Sequence, residues 1–251
     1  MKKKTGMTLA ETLITLTIIG VVIALVFPII INNSNDSKYK ALLKKQYSAL
    51  SQATIYASNK NDGNLKGIEG YNWPLLSKLT PALNTIQTCT DWHTLAQGFY
   101  PGCSPNNNDA DNECPIGGIK PYYYETGNDP CWTKEKFLLL NNQTIDFSDH
   151  GGLAGALLAD GSEIILSRNK HNQCQYQSDY MVGGTYNKPI VCASILLDVN
   201  GKAEPNMAGK DIYGFWVLSD KLVPFGQNDN YINTCNTDSG GYGCAAEYLK
   251  N

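Results

Sequence analysis

The stretch Met1-Lys2-Lys3-Lys4-Thr5-Gly6, followed by residues 7–31, MTLAETLITLTIIGVVIALVFPIII, decides how the rest of the chain is read. Three lysines precede a glycine, and one acid, Glu11, sits near the start of an otherwise uncharged apolar run. From Leu13 to Ile31 no side chain is charged, a run of ~19 residues that as a helix crosses about 30 Å of hydrocarbon. Because the basic patch comes first, the lysines are expected to stay cytoplasmic and the rest of the chain to lie outside. An acid at the membrane end of such a helix is costly unless paired, which makes Glu11 a candidate functional residue.

Two simpler readings compete. A secretory signal would have a shorter apolar core and a small-residue cleavage site, but VFPIIINNSND offers no such site. A plain membrane anchor accounts for the lysines and the apolar run, and leaves Gly6 and Glu11 to chance. The whole pattern (lysines, Gly6, Met7-Thr8-Leu9, an acid five places after the glycine, an apolar helix and Pro28) resembles the start of a type IV prepilin or pseudopilin. That resemblance implies cleavage by a prepilin peptidase between Gly6 and Met7, N-methylation of Met7, and Glu11 as the assembly glutamate. Met7 stands where Phe is usual, and Ala10 and Thr12 replace larger apolar neighbours of the acid. The glycine and the glutamate are both in place.

A physical mechanism goes with the resemblance. The Glu11 carboxylate in a bilayer costs ~2.5–3.5 kcal/mol on insertion scales. The freed amine of Met7 in a neighbouring subunit has the opposite charge, and pairing the two fixes the axial offset, since other registers strand a buried charge. Gly20 allows close helix approach, and Pro28 removes a backbone donor and is expected to kink the helix. Thr12, Thr15 and Thr17 are read as bonding back to carbonyls one turn earlier rather than as glue between helices.

After Ile31 the composition turns to NNSNDSKYK, and apolar residues then recur at Leu43, Tyr47, Leu50, Thr54 and Ala57, with Leu42 and Ala53 beside them. That spacing predicts one face of an amphipathic helix to about Asn59, stopped by Asn61-Asp62-Gly63. Lys38, Lys40, Lys44 and Lys45 read as its solvated face in preference to a lipid-headgroup site. The expected organisation is a leader at 1–6, a transmembrane and assembly helix at 7–31, an amphipathic continuation at 32–62, and a globular head at 63–251. By resemblance the fold class is α+β: a long N-terminal helix, transmembrane in its first half, packed on an antiparallel β-sheet head.

Within the head, Gly155–Ser167, Val191–Val199 and Ile212–Leu218 read as strands, the first folding back at Ala159-Asp160-Gly161. Leu138–Phe147 is a fourth candidate with a turn at Asn141-Asn142, and Trp73 to Cys131 reads as a long irregular insertion. Eight cysteines, Cys89, Cys103, Cys114, Cys131, Cys174, Cys192, Cys235 and Cys244, suit disulfides in an oxidising compartment. Eight allow 105 pairings. Local pairing is the expectation: four within the insertion, Cys174 with Cys192, and Cys235 with Cys244. No C-x-x-C or C-x-x-H spacing supports zinc.

The segment LDVNGKAEPNMAGKD, Leu197 to Asp211, is similar to a D-x-N-G…P-N…G-x-D stretch of many pilin-like secretion proteins. Asp198, Asn200 and Asp211 offer hard oxygens for Ca²⁺, without EF-hand spacing. The competing and favoured reading is a tight Asn-Gly turn whose side chains cap their own backbone, so no cofactor is counted as certain.

His93, His150 and His171 are the only histidines, and no G-x-S-x-G, phosphate-loop or H-E-x-x-H pattern occurs, so no enzyme is expected. Formal net charge is −3, and loss of Lys2, Lys3 and Lys4 leaves 17 basic against 23 acidic residues, which speaks against nucleic acid. Tyrosines such as Tyr122-Tyr123-Tyr124 suit either subunit contact or packing.

The reading is a structural subunit of a type IV pilus-like filament, a pseudopilin or minor pilin of a type II secretion-type system. Its expected partners are a prepilin peptidase, other pilin subunits, an inner-membrane assembly platform and membrane lipid. Its expected location is the inner membrane, single-pass, and then the filament. The alternative is a membrane-anchored binding or adhesion protein carrying the same leader.

Overall fold

The computed structural model describes residues 8–68, 74–89, 138–143, 153–168, 174, 190–201, 203–227 and 234–250. Gly6, Met7, Cys103, Cys114, Cys131, the three histidines and Tyr122-Tyr123-Tyr124 lie outside the described residues. The chain divides into two compact units, Met1–Lys40 and Ala41–Asn251.

Helix α1 spans Leu9–Asn59 and therefore contributes to both units. In the first, Leu9–Pro28 is the segment among the described residues long and apolar enough to cross a membrane, 20 residues in all. Its large apolar side chains are 44% to 81% exposed, so nothing in this unit covers them. Pro28 lies inside the helix, which runs on through it.

In the second unit, residues 41–59 of α1 bury one stripe: Leu43, Gln46, Leu50, Ala53, Thr54 and Ala57. The expected face is the buried one, with Tyr47 half-buried at its edge. Two polar members are satisfied locally or by the sheet. Thr54 Oγ1 donates to Leu50 O at 2.8 Å, and Gln46 Nε2 reaches Ser162 Oγ at 3.0 Å. The helix ends as its turn residues dictate. Asp62 and Gly63 adopt positive φ, and Gly63 N–H donates to Ser58 O at 3.0 Å, closing the last turn.

The head is a six-stranded antiparallel meander in sequence order: β1 Thr85–Cys89, β2 Leu153–Leu158, β3 Glu163–Arg168, β4 Val191–Asp198, β5 Ile212–Leu218 and β6 Leu222–Pro224. The β2–β3 hairpin turns at Ala159-Asp160-Gly161 as expected, with Gly161 at φ +85°. Every position of β4 but Ser194, and every position of β5 but Trp216, is buried. Both faces of these central strands are covered, which is why they read as continuous apolar runs. Tyr47 stacks on Phe215 at 5.7 Å on one side. On the other, Phe225 lies against Gly214, where a Cβ would run into its ring, and meets Trp216 at 4.5 Å.

Several expectations need correction. Leu138–Phe147 is not a strand over its described part: Leu138 makes one parallel bridge to Met207, and the chain then turns back at Asn141-Asn142. Leu139 N–H donates to Gln143 O at 2.7 Å, which uses the backbone locally. Phe147 lies outside the described residues. The stretch after Trp73 is also less irregular than it reads. It holds α2 (Pro74–Leu79), a 3₁₀ turn (Thr80–Ala82) and β1. Leu75, Leu76 and Leu79 are buried, and β1 owes its form to pairing with β2 rather than to apolar alternation. A short α3, Cys244–Lys250, closes the chain. Cys174–Cys192 and Cys235–Cys244 are bonded as expected. The side chain of Cys89 is not described.

Candidate functional site

The first site residue stands at the start of α1. Thr8 precedes the helix and Glu11 is its third residue, the arrangement of a capping box. Thr8 N–H and Thr8 Oγ1 both donate to Glu11 Oε2, at 2.8 and 2.9 Å, while Glu11 N–H donates back to Thr8 Oγ1 at 3.3 Å. The carboxylate is thereby held at the helix N-terminus, where the peptide dipoles favour negative charge. Downstream, Thr12, Thr15 and Thr17 donate to Thr8 O, Thr12 O and Leu13 O at 2.8 to 2.9 Å. Their hydroxyls bond back along the helix, as read from the sequence. A Cβ at Gly20 would meet nothing within 4 Å in this chain, so this position is open to an approaching neighbour.

The second candidate is the loop between β4 and β5. Asp198 closes β4 with 1% exposure, Asp211 opens onto β5 with none, and Glu163 lies directly across from Asp198 on β3 with 1% exposure. Glu163 was not among the residues singled out from the sequence. Its signal is only the strand register, which one chain does not disclose before the sheet is assembled. The turn reading of this loop holds in detail. Asn200 N–H donates to Asp198 Oδ1 at 3.1 Å, and Asn200 Nδ2 donates to Ala203 O and Glu204 O. Gly201 has φ +61°, and a Cβ there would strike the Gly161 carbonyl of the neighbouring hairpin.

Of the three residues proposed as ligands, the structure brings Asp198 and Asn200 together at the turn, places Asp211 close to both, and gives Asp211 a further task. Both Asp211 oxygens are taken by backbone: Oδ2 by Asn206 N–H at 2.9 Å and Oδ1 by Met207 N–H at 2.7 Å. Asp211 therefore shapes the loop. Burial pushes the Asp198 carboxyl up to about 9, and the nearby charges of Asp211 and Glu163 add to the rise. Burial likewise raises Asp211, against the pull of the backbone amides and the Asn200 side chain. Among the described residues no group of three or more His, Cys, Asp and Glu side chains is placed to hold a metal ion.

Residues 1–27 match the family model described as the prokaryotic N-terminal methylation motif. No curated protein and no solved structure matches the chain.

Proposed function

We propose, from a chain whose first 27 residues carry the N-terminal methylation motif of type IV pilin-like proteins, that it is a filament subunit of a type II secretion-type system, a pseudopilin or minor pilin. The carrying observation is an acid at a fixed place in a helix segment, Leu9–Pro28, whose large apolar side chains are exposed. The motif implies processing by a prepilin peptidase and assembly with other pilins. Cleavage between Gly6 and Met7 frees an amine, which becomes methylated. The lysines stay cytoplasmic and the head stands outside, where the disulfides Cys174–Cys192 and Cys235–Cys244 persist. The role is structural rather than catalytic, since no enzymatic motif occurs in the sequence.

Before assembly the Thr8 amide and hydroxyl satisfy Glu11, which lowers the cost of holding a carboxylate at the membrane edge. Assembly offers that carboxylate a full opposite charge, the Met7 amine of a neighbouring subunit. Only one axial offset allows the pairing, so the ion pair sets register while the exposed Leu, Ile and Val side chains supply packing. The test is Glu11→Ala in the native host, with the amino-terminal peptide read by mass spectrometry and filaments recovered by shearing. A start at methylated Met7 together with lost filaments supports the reading. Normal filament levels would sink it and favour a membrane-anchored binding protein.

A further inference from the structure

In the head unit, residues 41–59 of α1 bury Leu43, Leu50, Ala53 and Ala57, and apolar contact of that kind has no direction of its own. The directional contacts converge on one carboxylate. Asp160, at the tip of the β2–β3 hairpin, accepts on Oδ2 from Lys45 Nζ at 2.6 Å and from Gln46 Nε2. Its Oδ1 accepts from Ser162 Oγ at 2.7 Å and from Ser162 N–H at 3.3 Å, so the turn itself aims the carboxylate at the helix. Gln46 and Ser162 are 3% and 0% exposed, and Asp160 is their common acceptor. Among the described residues, the side-chain hydrogen bonds from residues 41–59 to the strands and their turns all end on Asp160 and Ser162. The hairpin tip is braced on both flanks. Ala159 N–H donates to Asn84 O at 2.7 Å, and Gly201 packs so closely on Gly161 that a Cβ would lie 2.2 Å from its carbonyl oxygen. Past the other end of the helix, buried Leu65 donates its N–H to Ser219 O at 2.6 Å. About 20 Å of helix separates Gln46 from Asn59, so the two anchors lie far apart.

We propose that Asp160 is a positioning residue: its carboxylate clamps residues 41–49 of α1 onto the β2–β3 hairpin and fixes where that part of the helix lies on the sheet, while Leu65 holds the far end. Burial by itself would raise the Asp160 carboxyl. The Lys45 ammonium and the Ser162 hydroxyl and amide outweigh it and hold the group below the usual carboxylate range, so it is charged at neutral pH. Without Asp160, one N–H of the Gln46 amide and the Ser162 hydroxyl proton lose their acceptor. Leaving them buried is costly, and lifting Gln46 into water relieves the cost. The far part of the helix has no such dependence, since its buried Thr54 bonds to Leu50 O within α1. Loss of the clamp is therefore local: residues 41–49 loosen and residues 51–59 stay packed. One consequence rests on the proposed function: in a filament subunit, the clamp is where the assembling helix is fixed to its head. The clamp itself stands whether or not the chain assembles.

Amide hydrogen exchange of the full chain in detergent, read by mass spectrometry of its peptides, separates this role from general support of the fold. Asp160→Ala should speed exchange of residues 41–49 by about tenfold or more, the change that goes with losing a hydrogen bond to a charged group. Residues 51–59 and strands β3 to β5 should stay near the wild-type rate. Asp160→Asn keeps the side chain's shape and one oxygen acceptor, so it should give a smaller rise in the same residues. Lys45→Met should move them by less than about fivefold, because that pair is exposed. A rise of equal size in residues 41–59 and in the strands would mean that Asp160 supports the fold as a whole, and would overturn the assignment. So would unchanged exchange of residues 41–49 in Asp160→Ala. Should Asp160→Ala not fold, Asp160→Asn decides: a rise confined to residues 41–49 supports the clamp, and wild-type exchange throughout overturns it. Filament yield plays no part in this readout, so failure of the clamp and failure of the filament reading are told apart.

Discussion

Helix α1 is built in two different ways along its length. Up to Pro28 its Leu, Ile and Val side chains are exposed all round, whereas from Leu43 to Ala57 it buries a single stripe and leaves Lys44, Ser48 and Gln52 in solvent. A helix that is apolar all round needs surroundings outside its own chain, a bilayer or other helices, while a helix with one apolar stripe needs only its own sheet. The two lengths therefore answer to different forces. One is tested by assembly, the other by stability.

The largest expected effect is at Glu11. On the proposed assembly mechanism, in which pairing with Glu11 selects register, Glu11→Ala should reduce sheared filaments by tenfold or more while the melting of the head stays put. A paired test sharpens the division. Leu50→Ala, at a fully buried position, should cost about 2–5 kcal/mol in denaturant unfolding. Leu16→Ala, at a position 64% exposed, should leave head unfolding unchanged and show its effect only in filament yield. If Leu16→Ala destabilised the head as much as Leu50→Ala, the division would fail.

Next comes a dependence on pH confined to the head. The Asp198 carboxyl titrates at about 9 when folded, against 3.8 unprotected. Between those values the folded chain holds a proton that the unfolded chain has released, so stability falls as pH rises, by up to about 1.4 kcal/mol per pH unit. Below the lower value and above the higher one this contribution is flat. Denaturant curves at pH 5, 7 and 9 should show the decline, and Asp198→Asn should reduce it, leaving the part that belongs to the raised Asp211 carboxyl. The smallest effect belongs to Lys45. Its ion pair with Asp160 at 2.6 Å joins side chains 62% and 30% exposed, so Lys45→Met should cost only about 0.2–1 kcal/mol, less in high salt.

Legibility followed the range of the forces involved. The helix stop at Asn61-Asp62-Gly63 and the hairpin at Asp160-Gly161 were readable because turn chemistry is local. β4 and β5 were readable because strands covered on both faces are continuous apolar runs. Gln46 was not readable as a core residue. It is polar, yet only 3% exposed, because Ser162 and Asp160 come to meet it from a hairpin more than a hundred residues away. β1 and β6 escaped for a similar reason, since Thr85–Cys89 and Leu222–Pro224 are strands by virtue of the neighbours that hold their ladders.

The amino-terminal region was determined by sequence alone: a glycine after three lysines, an acid five places on and an apolar run long enough for a bilayer are statements about spacing, and along the apolar run a helix converts spacing directly into geometry. The tertiary structure alone decided the chemistry of the β4–β5 loop. It set Glu163 against Asp198, committed both oxygens of Asp211 to backbone amides and aimed Asn206 at three oxygens. Those assignments depend on strand register and burial, and a carboxylate's proton affinity depends on what surrounds it, which no single stretch of chain specifies.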